Sequence, residues 1–180
     1  MARRHRPLRA RQNVCVLILR ATKKLLQRVG QTTLREGDQS TTLLGEWYAT
    51  ALFWRPQVAL LVNEPTLLPV LMPLAPATTL PARVAEQIAT ILAAHGTPDT
   101  IIQNELEHMR ELRTATTVNR SVVGIMNEFT FLADTYRADN PSPNLLDLAV
   151  RLAATPCGPL YKTNISPDRE LAAHVRTIDS

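Results

Sequence analysis

The chain reads as an α+β protein, with a small, mainly antiparallel sheet of about four strands covered by five to six helices. Three features predict this. A β-branched apolar run stands at Val14 to Leu19, two further apolar runs at Val58 to Val62 and Leu67 to Met72 flank a turn-like Asn63-Glu64-Pro65-Thr66, and from Val84 onward apolar residues recur at helical spacing. Strands and helices therefore follow one another unevenly, which favours an antiparallel sheet with helices over it rather than a doubly wound parallel one.

In chain order, Val14 to Leu19 is a buried strand, and Thr22 then caps a short helix from Lys23 to Val29 that Gly30 ends. Gln31 to Gln39 is a polar loop. Thr41 or Thr42 starts a second helix through Leu43, Leu44, Trp47, Tyr48, Ala51 and Leu52, stopped by Arg55 and Pro56. The two apolar runs that follow form a hairpin, and Pro69, which lacks an N–H, puts the second run at a free edge or a bulge.

Beyond Pro76 the stripe Val84, Ile88, Ile91, Leu92 and His95 marks a helix stopped at Gly96. Thr97 as N-cap and Pro98 as first helical residue begin another, through Ile101, Ile102, Glu105, Met109 and Leu112. Arg113 to Val118 is a short strand. Ser121 caps the most regular helix, with the stripe Val122, Ile125, Met126, Phe129, Leu132, Ala133 and Tyr136. Leu145 to Ala153 is helical. Residues 1–12 read as a basic disordered leader, 13–156 as one α+β domain, and 157–180 as a loosely structured tail.

Composition narrows the class. Of 180 residues, 45% are hydrophobic and 20% charged, an ordinary globular balance that excludes fibrous and wholly disordered chains. The net charge of +4 comes from Arg3, Arg4, Arg6, Arg9 and Arg11 in the leader, which leaves the body close to neutral. A nucleic-acid contact is therefore expected, if anywhere, through the leader alone. The apolar run at Val14 is too short for a secretory signal and no run approaches the ~20 residues of a membrane span, so a soluble, cytoplasmic protein is expected. Cys15 and Cys157 lack metal-ligand spacing and read as reduced thiols.

Four ordered blocks carry a resemblance. They are Leu19-Arg20-Ala21-Thr22-Lys23-Lys24-Leu25-Leu26, Thr41-Thr42-Leu43-Leu44-Gly45-Glu46-Trp47-Tyr48-Ala49, Val62-Asn63-Glu64 with Leu67-Leu68-Pro69-Val70, and Asn119-Arg120-Ser121-Val122-Val123-Gly124-Ile125-Met126-Asn127-Glu128-Phe129. Over residues 17 to about 137 the chain resembles an uncharacterised bacterial family, domain-of-unknown-function family 6933. That resemblance implies no activity, cofactor or partner.

The signatures of phosphate loops, dinucleotide folds, zinc proteases and serine hydrolases are missing from the sequence. Glu105 and His108 share the i, i+3 spacing of di-metal helices, but no second such pair accompanies them, and they read as a solvated rim with Glu107 and Glu111; no metal or cofactor is expected. Two helix starts offer anion chemistry. One is Thr22, Lys23 and Lys24, where cations oppose the helix dipole and a bound anion would relieve them. The better one is Asn119, Arg120 and Ser121, where a guanidinium stands beside free helix amides. Glu46, Trp47, Tyr48, Asn127 and Glu128 are candidates for a pocket wall, although a Trp on the apolar face of a helix, as Trp47 is read here, is more often core.

The expected function is a non-enzymatic binding or accessory domain whose partner is an anionic ligand or another protein. Two alternatives stand beside it: an enzyme acting on a phosphorylated or nucleic-acid substrate, clamped by Arg120 and Lys23 with Glu46 or Glu128 as acid/base, and a protein that holds nucleic acid through its arginine leader.

Overall fold

The computed structural model describes residues 14–180, so the arginine leader lies outside the described residues. The elements are β1 (Val16–Ala21), α1 (Lys23–Val29), β2 (Trp47–Leu52), β3 (Val58–Asn63), β4 (Pro69–Pro73), α2 (Leu80–Ala94), α3 (Asp99–His108), β5 (Glu111–Thr116), α4 (Arg120–Asp139), α5 (Leu145–Ala153) and α6 (Pro167–Ile178). Five strands form one sheet in the order β4-β3-β2-β1-β5.

The fold class is α+β as expected, but the sheet is mixed and has five strands. β1 pairs in parallel with both β2 and β5, while β2–β3 and β3–β4 are antiparallel. The extra strand is β2, from the stretch expected to be helical. All six residues of β2 are buried, so no polar positions mark its alternation. Leu43, Leu44 and Leu52 then imitate a helical stripe across what is a turn followed by a central strand. Gly45 makes that turn. Its φ is +75°, and a Cβ there would stand 3.3 Å from Pro65 Cγ, a close approach that suits only glycine. The Thr42 hydroxyl donates to Gly45 O at 2.6 Å and locks the turn just ahead of β2.

The hairpin forms as expected, and β4, carrying Pro69, is an edge strand. Gly30 and Gly96, both at positive φ, end α1 and α2. α3 ends at His108, so Leu112, expected on it, stands in β5, and three caps differ from expectation, the first being Pro98 rather than Thr97 at the N-cap of α3. Thr22 occupies the N-cap of α1 but makes no capping bond, its hydroxyl instead meeting Thr50 Oγ1 at 2.9 Å. Asn119, not Ser121, caps α4, because its carbonyl oxygen accepts from Ser121 N and Val122 N.

The C-terminal stretch, expected to be loosely structured, contains the helix α6. Pro167 at the start of α6 supplies the preset φ of a first turn, and Leu171 is buried with Val175 and Ile178 packed partly against the core. One apolar cluster links β1 to β4 with α1, α2, α4, α5 and α6, and Trp47, Phe129 and Leu25 are at its fully buried centre. Val16, Ile18 and Ala115 form a smaller cluster on the other face of β1 and β5. Among the described residues no helix is long and apolar enough to cross a membrane.

Candidate functional site

The register of the sheet brings four distant segments together at one end. Arg20 on β1 is opposite Tyr48 on β2, and Trp47 is opposite Asn63 on β3. Side chains alternate along a strand, so Arg20, Glu46, Tyr48 and Glu64 share one face, while Leu19, Trp47 and Asn63 point to the other. Asn119 enters the same end after β5, whose Thr116 is paired with Ala21.

The polar contacts follow from this placement. The Arg20 guanidinium grips the Glu46 carboxylate with two donors, Nε to Oε2 and a terminal nitrogen to Oε1 at 3.2 Å, and donates once more to Thr116 O at 3.3 Å. The paired Glu46 carboxylate holds Arg20 above the usual arginine range. Asn119 N donates to the Tyr48 hydroxyl at 3.2 Å, that hydroxyl donates to Glu64 Oε1 at 3.4 Å, and Asn119 Nδ2 donates to the same oxygen at 2.9 Å. Burial raises the Tyr48 phenol above its ordinary value, so it remains protonated and able to donate at neutral pH.

Asn63, on the opposite face, holds the frame. Its side chain donates to Leu44 O and Glu46 O and accepts from Thr66, tying the β3–β4 turn to the start of β2. Glu64 N donates to Glu46 O at 2.9 Å, so the two carboxylate-bearing residues are fixed side by side.

Of the residues singled out by sequence, Glu46 and Asn119 are in this cluster, and Arg120 and Ser121 are exposed at its rim. Arg120 makes no salt bridge among the described residues, while Glu46 is paired with Arg20 and Glu64 accepts from Asn119. Thr22 joins through Thr50, two residues along β2 from Tyr48, whereas Lys24 leans toward the exposed Phe53 with Nζ 5.7 Å from its ring. Lys23 is exposed on α1. Trp47 is fully buried in the core, and Asn127 and Glu128 are exposed two turns into α4.

Tyr48, a candidate pocket residue beside Glu46, is in the cluster, whereas Arg20 and Glu64 were missed as site residues by sequence reasoning. The signal existed: read as a strand, Glu46-Trp47-Tyr48 puts its first and third residues on one face, and Arg20 ends an alternating run at the same level. Glu105 was misplaced on a solvated rim. It is 1% exposed, and its carboxylate accepts from Leu43 N at 2.6 Å and Leu44 N at 3.3 Å, bracing the turn that delivers Glu46. Among the described residues no group of three or more His, Cys, Asp and Glu side chains is placed to hold a metal ion.

Asn119 is the joint between helix and cluster, because it caps α4 with its oxygen and orients Glu64 with its nitrogen. Asn119→Ala should cost about 1 to 2 kcal/mol, with denaturant titration as the check. Asn119→Asp keeps the cap but sets a carboxylate against Glu64, so it should recover only part of that loss.

These features define a mixed-sheet α+β domain with a hydrogen-bonded ionic cluster at one sheet end. The family model for a domain of unknown function, DUF6933, matches residues 18–170, and the chain belongs to that family. No curated protein and no solved structure matches it.

Proposed function

We propose that the protein is a non-enzymatic binding domain whose recognition face is the sheet end bearing Arg20, Glu46, Tyr48, Glu64 and Asn119. Arg120 is the cation that receives an anionic group of the ligand, and the oxygen of Glu64 left without a hydrogen bond among the described residues receives a donor from it. The observation that carries this reading is that Arg120 is exposed and directly follows Asn119, the residue that joins the cluster, while the cluster's own acids are already engaged. A structural arginine in this position would be paired with one of them.

Binding is favoured over catalysis by the state of the carboxylates. Glu46 is held by a guanidinium through two donors, and Glu64 accepts from an amide and a phenol, so both carboxylates are engaged within the cluster. The helix-start amides at Ser121 and Val122 are occupied by Asn119, so the anion rests on the Arg120 side chain more than on the helix terminus.

Arg120→Ala should leave stability within about 1 kcal/mol, because an exposed charge contributes little to folding. It should also abolish the rise in melting temperature that millimolar phosphate or AMP gives the wild type. A mutant that melts much lower, together with a wild type that neither compound shifts, would make Arg120 architectural and refute the reading.

A further inference from the structure

At the other end of α4 a cavity of about 320 Å³ opens between the β2–β3 turn, the adjoining ends of β3 and β4, and the segment joining α4 to α5. Asn119 and Arg137 are eighteen residues apart along one helix, so this cavity lies roughly 27 Å from the ionic cluster and shares none of the cluster's side chains. We propose that it is a second binding site, and that its ligand is a small organic carboxylate with a compact apolar body.

The walls of the cavity are mainly apolar. Trp54, Val58 and Leu145 line the cavity, and the indole is held in place from behind, where Nε1 donates to Asp134 Oδ1 at 2.6 Å. Beside the single hydroxyl-bearing residue Ser142, Pro56, Pro73, Pro141 and Pro143 also line it. Their φ angles are set by the ring, so little chain entropy remains to be lost when a ligand seats. The volume is near the lower end of the ~300–1,000 Å³ typical of ligand sites, which suits one aromatic ring or a short branched chain.

The charge comes from two arginines. The Arg137 guanidinium carbon is 5.1 Å from the centroid of the Trp54 ring, and its Nε donates to Pro141 O at 3.4 Å, which leaves the terminal nitrogens free of any partner among the described residues. Arg55 is exposed and likewise makes no salt bridge among them. No acidic side chain lines the cavity, and the nearby Asp134 is committed to the indole N–H. Two guanidinium groups at the rim of an apolar slot match a planar carboxylate head on an apolar body. Neutral apolar compounds would leave both cations unanswered.

Trp54 is the reporter, since the other tryptophan, Trp47, is wholly buried on β2. Intrinsic fluorescence of the full chain is titrated with benzoate, phenylacetate, indole-3-acetate and isovalerate, with phenylacetamide as the uncharged match. Binding is confirmed by ligand-observed NMR. At least one carboxylate should saturate, and phenylacetamide should bind about tenfold or more weakly than phenylacetate.

Arg55→Ala, exposed and harmless to folding, should weaken the carboxylate about tenfold, and Arg137→Lys should retain part of the affinity that Arg137→Ala loses. Arg120→Ala should bind the carboxylate as the wild type does, so this site and the ionic cluster stand or fall separately. The proposal is overturned if none of the four carboxylates saturates up to about 10 mM, if phenylacetamide binds as well as phenylacetate, or if Arg55→Ala and Arg137→Lys both bind like the wild type.

Discussion

Trp47→Ala should lower the free energy of unfolding by roughly 3 to 5 kcal/mol, the largest loss expected from any one truncation in this chain. The indole is 0% exposed and sits on β2 between Leu19 of β1 and Asn63 of β3, the two residues it faces in register. Its place between two neighbouring strands leaves no edge from which the sheet can collapse into the vacated space, so most of the cavity persists. A urea titration showing less than about 1 kcal/mol of loss would remove Trp47 from the core.

The same residue makes a sharper test through its nitrogen. Trp47 Nε1 is buried and has no hydrogen-bond partner among the described residues. An unpaired buried donor costs about 1 to 3 kcal/mol, so the indole stabilises less than its size suggests. Trp47→Phe discards that donor while keeping a large apolar ring, and it should cost no more than about 1.5 kcal/mol. If Phe proves nearly as damaging as Ala, the nitrogen is satisfied by a bound water and the balance argued here fails.

Where sequence patterns were enough, the reason is one-sided burial. α2, α4 and α5 each bury one stripe, and their spacing reads directly. β3 and β4 are both short apolar runs, but the turn residues between them mark the hairpin. β2 had no such marks, because it is covered on both faces and the preceding leucines fall at helical intervals. The parallel pairing of β1 with β2 and β5 joins segments far apart in the chain, and nothing local encodes it. α6 was hidden differently: Leu171, Val175 and Ile178 do have helical spacing, but they follow a stretch of Pro, Gly and Asn that reads as loop.

The ionic cluster suffered from the same error. Read as a helix, Trp47–Leu52 separates Glu46 from Tyr48 by about 200° around the axis, whereas a strand puts them on one side. Asn119 was visible because helix starts announce themselves in sequence, and Glu46 because an acid beside two aromatics is conspicuous. Arg20 and Glu64 required the register.

Glu105 is the second large effect, and its role follows from the turn it braces. Its two carboxylate oxygens answer the N–H groups of Leu43 and Leu44, just before Gly45 and Glu46. Glu105→Ala strands both donors in a site closed to solvent and should cost roughly 3 kcal/mol. Glu105→Gln keeps one acceptor but points an amide donor at the other N–H, so it should cost about half as much. The pH dependence has a definite sign. Burial raises the Glu105 carboxyl above its ordinary 4.5, although the Leu43 and Leu44 amides and the nearby His108 and His174 pull it down. A carboxyl raised on folding binds its proton more tightly in the native state. Its contribution is therefore full below pH 4.5 and declines as pH rises through the native carboxyl's range. Glutamine does not titrate, so the stability gap between wild type and Glu105→Gln should be widest in acid and narrow as pH rises. Denaturant titrations of both proteins across that range decide it: a gap that widens with rising pH would mean that the two amides hold the carboxylate charged, and that burial is the weaker force at this site.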